Sequence, residues 1–272
     1  MAKILAVANQ KGGVGKTTSC INLAASLAAA KRRVLLIDLD PQGNATMGCG
    51  VDKHQLAHTV GDVLLQQVSL DEVIVRSGVP NMDVVPANSD LTAAEVKLLG
   101  EKSGESRLKD ILLSRQAVYD FIFIDCPPSL NMMTVCALVA ADSVIIPMVC
   151  EYYALEGLAS LTKTVFDIAA SCNPRLEIEG VLRTMYDQRN SLTREVSRQL
   201  IQHFGRRVYR TVIPRNVRLA EAPSHGLPAL HYDRYARGTV AYLALAGEFM
   251  RRQDEKKPCT SESRTTDVTE QL

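Results

Sequence analysis

The chain has 272 residues, of which 46% are hydrophobic and 22% charged. That is enough for a large packed core without disulfide or metal staples, and it excludes collagen-like, disordered and membrane-embedded classes. The net charge of +1 hides a polarity: residues 181–252 carry 13 arginines and no lysine against Asp187, Glu195, Glu221, Asp233 and Glu248, a local +8, while residues 1–180 sum to −5. Such a concentration is either a solvated surface or an electrostatic footprint for a polyanion.

In chain order, Lys3–Ala8 (KILAVA) has the pattern of a buried strand. The Gly-rich NQKGGVGKTT follows, then Ser19–Ala30, where Ile21, Ala24, Leu27 and Ala28 recur at helical spacing. Arg33–Asp38 (RVLLID) is a near-continuous apolar run of the kind that parallel sheets bury on both faces. Further strands are predicted at Met82–Pro86, Asp120–Asp125, Ser143–Val149, Glu177–Thr184 and Val208–Ile213. Helices are predicted at Ser89–Leu99, Ser106–Ala117, Met132–Ala140, Leu155–Ala170, Leu192–Phe204 and Ala236–Arg252. This alternation implies an α/β fold, a doubly wound, mostly parallel sheet flanked by helices. No Pro/Gly/Ser-rich linker divides it, so residues 1–252 are expected to form one domain. The polar stretch 253–272, net −2, is expected to be a disordered tail.

Seven cysteines, Cys20, Cys49, Cys126, Cys136, Cys150, Cys172 and Cys259, show neither CxxC spacing nor His pairing, as expected of reduced thiols in the cytoplasm. No apolar run approaches the roughly 20 residues of a spanning helix, and no leader pattern precedes the first strand. Secretion is not expected.

The chemistry concentrates in the first loop. Gly15-Lys16-Thr17 closes a P-loop pattern, although Gln10 stands where the general pattern has its first glycine. Gly12, Gly13 and Gly15 allow backbone N–H groups to approach phosphate oxygens at a helix N-terminus, where the helix dipole also favours anions. Lys16 is placed for the terminal phosphates of a nucleotide and the Thr17 hydroxyl for Mg²⁺. Asp38 and Asp40 (LLIDLDPQGNAT) and Asp125 (FIFIDCPPS) close apolar strands, and carboxylates at the carboxyl ends of parallel strands face the ligand crevice. The alternative for each is a turn or capping aspartate, and the role of Asp38 stays open. His54 and His58 have i,i+4 spacing without a third ligand, and Tyr152 and Tyr153 lack the aromatic company of a base-stacking platform. Both pairs are expected to be surface or packing residues.

KGGVGKTT, with Lys11 at the start of the loop, resembles the deviant Walker A signature of the family that includes ParA/Soj partition ATPases, MinD and nitrogenase iron protein. DLDPQGNAT, DCPPSL, EYYALEGL (Glu151–Leu158), TMYDQR (Thr184–Arg189) and IPRNVRLAEAPSHG (Ile213–Gly226) narrow the resemblance to the chromosomal ParA/Soj group over residues 1–250. The resemblance implies ATP and Mg²⁺ as ligands and an ATP-dependent homodimer in which Lys11 reaches the partner subunit's nucleotide. It places the nucleotide on Lys11, Gly12, Gly13, Val14, Gly15, Lys16, Thr17 and Thr18. Asp125 then takes the Walker B position, holding the metal with Thr17, and Asp40 orients the attacking water. Pro214 and Asn216 lie by the adenine, and Arg218 contributes to binding double-stranded DNA without sequence preference. A ParB-type centromere-binding partner that stimulates slow hydrolysis and a nucleoid-associated, cytoplasmic location follow from the same resemblance. No helix-turn-helix extension precedes the loop, so operator recognition is not expected. A MinD-like membrane ATPase needs a cationic amphipathic C-terminal helix, an iron protein needs paired cluster cysteines, and a small-molecule kinase or ligase works without DNA. The sequence favours none of these three.

Overall fold

The computed structural model describes residues 1–256. Seven strands form one sheet: β1 (Lys3–Val7), β2 (Val34–Asp38), β3 (Val75–Arg76), β4 (Met82–Val85), β5 (Phe121–Asp125), β6 (Ser143–Val149) and β7 (Glu177–Thr184). Their order is β3-β4-β2-β5-β1-β6-β7, parallel throughout except for the short edge strand β3. Around them lie α1 (Lys16–Ala29), α2 (Asn44–Gly48), α3 (Val60–Leu64), α4 (Leu70–Val73), α5 (Leu91–Leu99), α6 (Arg107–Leu113), α7 (Met132–Ala140), α8 (Ala154–Ser171), α9 (Ser191–Phe204), α10 (Val217–Glu221), α11 (Ala229–Tyr232) and α12 (Arg237–Lys256).

The two-residue period of the strands divides the core in two. Ile4, Ala6, Leu35, Ile37, Ile122 and Ile124 point to one face and pack under α3 to α9. Leu5, Val7, Val34, Leu36, Phe121 and Phe123 point to the other and meet α1, α11 and α12. There Phe249 of α12 meets Phe121 edge-on, with ring centroids 5.3 Å apart, and the Tyr242 and Ser19 hydroxyls share a 3.0 Å hydrogen bond. Strands buried on both faces explain why their sequences are apolar without alternation.

Two expectations are corrected. Val208–Ile213 is not a strand, although Tyr209 N–H donates to Val181 O and Ile213 N–H to Arg183 O along the β7 edge. Between those points the Glu248 carboxylate of α12 accepts the N–H groups of Arg210 and Thr211, and the Arg183 guanidinium donates to the carbonyls of Tyr209 and Arg210, so side chains replace the ladder. The last helix does not stop at Arg252 but continues to Lys256. Gln253 and Lys256 donate to the buried Glu179 carboxylate, which also takes Lys3, and these bonds tie the final turn to the sheet. The rest of the expected tail, 257–272, lies outside the described residues.

Candidate nucleotide site

The register brings the carboxyl ends of three central strands together: Asp125 of β5 pairs with Val7 of β1 on one side and with Asp38 of β2 on the other. The loop that leaves β1 therefore starts beside both aspartates. Gly13 and Gly15 take φ +72° and +82°, the left-handed region that a side chain disfavours, and Gly15 caps α1. Gly12 and Gly13 form a turn, and Ser19 N–H begins the helical ladder at Gly15 O, so the N–H groups of the first helical turn, Lys16 to Thr18, precede the ladder. This row of donors at the positive end of a 14-residue helix suits a phosphate chain. The loop is anchored from β7, whose Thr184 hydroxyl donates to Val14 O at 2.8 Å.

Lys16 is buried and lies under the loop, its Nζ donating to Lys11 O at 3.2 Å. Burial lowers its pKa, and the negative charges of Asp125 and Asp40 oppose that shift. Asp125 is fully buried, and neither carboxylate oxygen has a hydrogen-bond partner. Burial first, then the charge of Asp38, holds its pKa well above the usual carboxylate range. The Thr17 hydroxyl lies near enough to counter part of this, though not in hydrogen-bond geometry with either oxygen. An orphaned carboxylate beside a helix-initiating Thr hydroxyl fits a hard divalent cation with oxygen ligands.

Asp38 has a structural role. Its carboxylate accepts Asp40 N–H at 3.0 Å and both the N–H and the hydroxyl of Thr46 at 2.8 Å, which fixes the turn that carries Asp40. Burial nevertheless pushes its pKa up to about 6, against those bonds. Asp40 sits over the site with 8% of its surface exposed, and one oxygen accepts Gln42 N–H.

Other expected residues are placed less directly. Lys11 is half exposed and forms an ion pair with Glu151 of its own chain, 2.6 Å from Nζ to Oε2. The sequence showed Glu151 only as part of a motif, since a partner 140 residues away leaves no local signal. Pro214 is bridged to Tyr186, two residues beyond Thr184, which keeps its segment near the loop's anchor. The Asn216 side chain caps α10 by accepting Arg218 N–H. Arg218 is paired with Glu221 at 2.7 Å and Asp233 at 3.4 Å. Among the described residues no cluster of His, Cys, Asp and Glu has the geometry of a metal site, no cysteine is in a disulfide, and no helix is long and apolar enough to cross a membrane.

A family profile described as an AAA domain matches residues 2–178. The Bacillus subtilis sporulation initiation inhibitor protein Soj is 51% identical over 91% of this chain and 98% of its own. The Caulobacter vibrioides chromosome partitioning protein ParA is 49% identical over 94% and 96%. The chain belongs to the ParA/Soj family. Solved structures agree on the fold of this ParA/Soj-family protein. Cobyrinic acid a,c-diamide synthase from Mycobacterium smegmatis, with bound ADP and magnesium, superposes with a TM-score of 0.82 at 36% identity, covering 94% of this chain and 97% of that one. The cell division ATPase MinD of Pyrococcus furiosus gives 0.77 at 25% identity, over 93% and 100%.

Proposed function

We propose that this ParA/Soj-family chain is an ATP-driven switch for segregating chromosomal or plasmid DNA. The observation that carries the reading is the convergence, at one end of the sheet, of the glycine loop with the first N–H groups of α1, the buried Lys16 and the orphaned Asp125 carboxylate. Identity near 50% to partition proteins over almost the whole chain supports it. In this reading the loop N–H groups and Lys16 bind the β- and γ-phosphates, while Thr17 and Asp125 hold Mg²⁺. Bound there, the metal supplies neutralising charge for the phosphate oxygens. Asp40, held by the Asp38 turn, orients the attacking water and accepts its proton. Pro214 and Asn216 border the adenine.

Lys11 acts on the nucleotide of a second copy, so ATP and dimerisation are linked as they are when an arginine finger works in trans. To do so it leaves Glu151, an exposed ion pair worth at most about 1 kcal/mol. The dimer pairs two copies of the arginine-rich segment, including Arg218, and binds double-stranded DNA through phosphates, without sequence preference. Slow hydrolysis, stimulated by a ParB-type centromere-binding protein, returns the dimer to monomers, and the protein works in the cytoplasm on the nucleoid. The test is ATP turnover measured with duplex DNA and a ParB-type protein, separately and together. Turnover that rises only when both are present supports the switch. Turnover indifferent to DNA and coupled to a small-molecule acceptor favours a synthase activity such as the one named for the Mycobacterium smegmatis structure.

A further inference from the structure

A cavity of about 950 Å³ opens at the β7 edge, walled by the start of that strand, the end of α9 and the last turns of α12. The P-loop packs instead against Thr184, at the strand's other end. The cavity floor is a rigid polar frame. Glu248 accepts two backbone N–H groups and the Arg252 guanidinium. Arg183 donates to Ser197 Oγ at 2.7 Å and to two carbonyls. The Tyr209 ring occupies the space that a Cβ on Gly180 would fill, and Arg252 stacks 4.2 Å from its centroid. Two polar groups in this floor are buried without a partner, Arg183 Nε and the Tyr209 hydroxyl, and both residues line the cavity.

Arg206, Arg207, Arg210 and Arg251 also line the cavity and are exposed, and their guanidinium groups have no ion pair or hydrogen bond among the described residues. Elsewhere in the basic segment Arg189 pairs with Asp187, Arg198 with Glu195, and Arg218 with Glu221 and Asp233, whereas Arg215 and Arg237 are exposed and have no ion pair among the described residues but do not line the cavity. Of the acids at the cavity, Glu177 and Glu179 are taken by Lys3 and Lys256, and Glu248 by Arg252. Among the described residues that line the cavity, Glu255 is the one acid left to face the four guanidinium groups. Like charges gathered around one concavity repel, and a compact multivalent anion relieves the repulsion. Planar guanidinium forks match phosphate oxygens in pairs, and the volume is that of a nucleotide-sized ligand. A DNA duplex can meet the exposed rim but is too broad to reach the buried Arg183 and Tyr209 groups of the floor.

We propose that the cavity rimmed by Arg206, Arg207, Arg210 and Arg251 is a second anion site, separate from the P-loop, that binds a small oligophosphate, inorganic or nucleoside. The test is calorimetric titration of inorganic tripolyphosphate into the full chain carrying Lys16→Ala, which disables the P-loop, with and without Arg207→Gln and Arg251→Gln. Both added substitutions are at exposed positions, and a circular dichroism spectrum matching that of Lys16→Ala is the control for folding. The expected result is binding of one tripolyphosphate per Lys16→Ala chain, weakened at least tenfold by the added pair. Undetectable binding in Lys16→Ala, or the same affinity with and without the pair, overturns the proposal. Adenosine tetraphosphate in a parallel titration distinguishes the sources: tighter binding than tripolyphosphate points to a nucleoside ligand, equal or weaker binding to an inorganic one, and a tenfold loss with the same pair supports the site in either case. If the arginine pair weakens duplex DNA binding in the otherwise unsubstituted chain while tripolyphosphate titrations stay unchanged, the patch is a DNA contact and the oligophosphate site is refuted.

Discussion

Asp125→Asn should make the nucleotide-free protein more stable at neutral pH while disabling the metal site. Asp125 and Asp38 are register partners on adjacent parallel strands, so their carboxylates lie about 5 Å apart. At an effective dielectric constant near 20, two negative charges at that spacing repel by about 3 kcal/mol. Lys16 and the nearby Thr17 hydroxyl offset part of this, but neither Asp125 oxygen has a partner in hydrogen-bond geometry. Asn removes the charge without losing a bond, so the gain should be about 1–3 kcal/mol. The sign with pH follows from the raised values. Where a folded-state pKa exceeds the unfolded one, the folded protein binds more protons, and the parent gains stability as pH falls through the raised value towards the unfolded one. Asp125 lies well above 3.8 and Asp38 near 6, so the advantage of the variant should be largest at pH 7.5 and shrink towards pH 5. Urea unfolding of both proteins at pH 7.5, 6.5 and 5.5, without nucleotide or Mg²⁺, measures it. A variant less stable than the parent at pH 7.5, or a difference that does not change with pH, would refute the electrostatic picture of the site.

Lys16→Ala should weaken nucleotide binding itself, whereas Lys11→Ala should leave ATP bound to a monomer, because the Lys11 ammonium in its own chain pairs with Glu151 and not with the loop; equal losses in titrations with a fluorescent ATP analogue remove the trans role. Asp40→Ala should slow hydrolysis about 10²- to 10⁴-fold and accumulate an ATP-bound dimer, and turnover at the parental rate in a phosphate-release assay contradicts that. A chain ending at Arg252 should melt lower than one ending at Lys256, because it loses Lys256 and Gln253 from the buried Glu179; identical melting curves would make those bonds dispensable. Arg218→Glu should weaken binding to every duplex alike and reduce the log–log salt slope by about 0.9 for each phosphate no longer neutralised, with ATP-dependent dimerisation intact; an unchanged slope in fluorescence anisotropy places the DNA surface elsewhere.

The central sheet was legible because its strands are buried on both faces and so are written as apolar runs, RVLLID and FIFID among them. The phosphate loop was legible because its glycines, Lys16 and Thr17 lie within a few residues of one another. What escaped depends on partners distant in sequence. The antiparallel edge strand Val75–Arg76 is too short to carry a period, and Val208–Ile213 has a strand's composition but loses its ladder to Glu248 and Arg183. Asp38 was singled out as an aspartate at a strand end, yet its work on Thr46 and the Asp40 turn is visible only in three dimensions. The ion pairs that occupy Lys11 and Arg218 likewise emerge only when the chain is folded.

The central claim is that ATP assembles two chains into the form that binds DNA. Sizing the protein by light scattering with ATP, with ADP and without nucleotide, each with and without duplex DNA, tests it most directly. The account predicts a dimer only with ATP and co-elution with DNA only for that dimer. A protein that remains a monomer in ATP, or that binds DNA equally in all three nucleotide states, would contradict it.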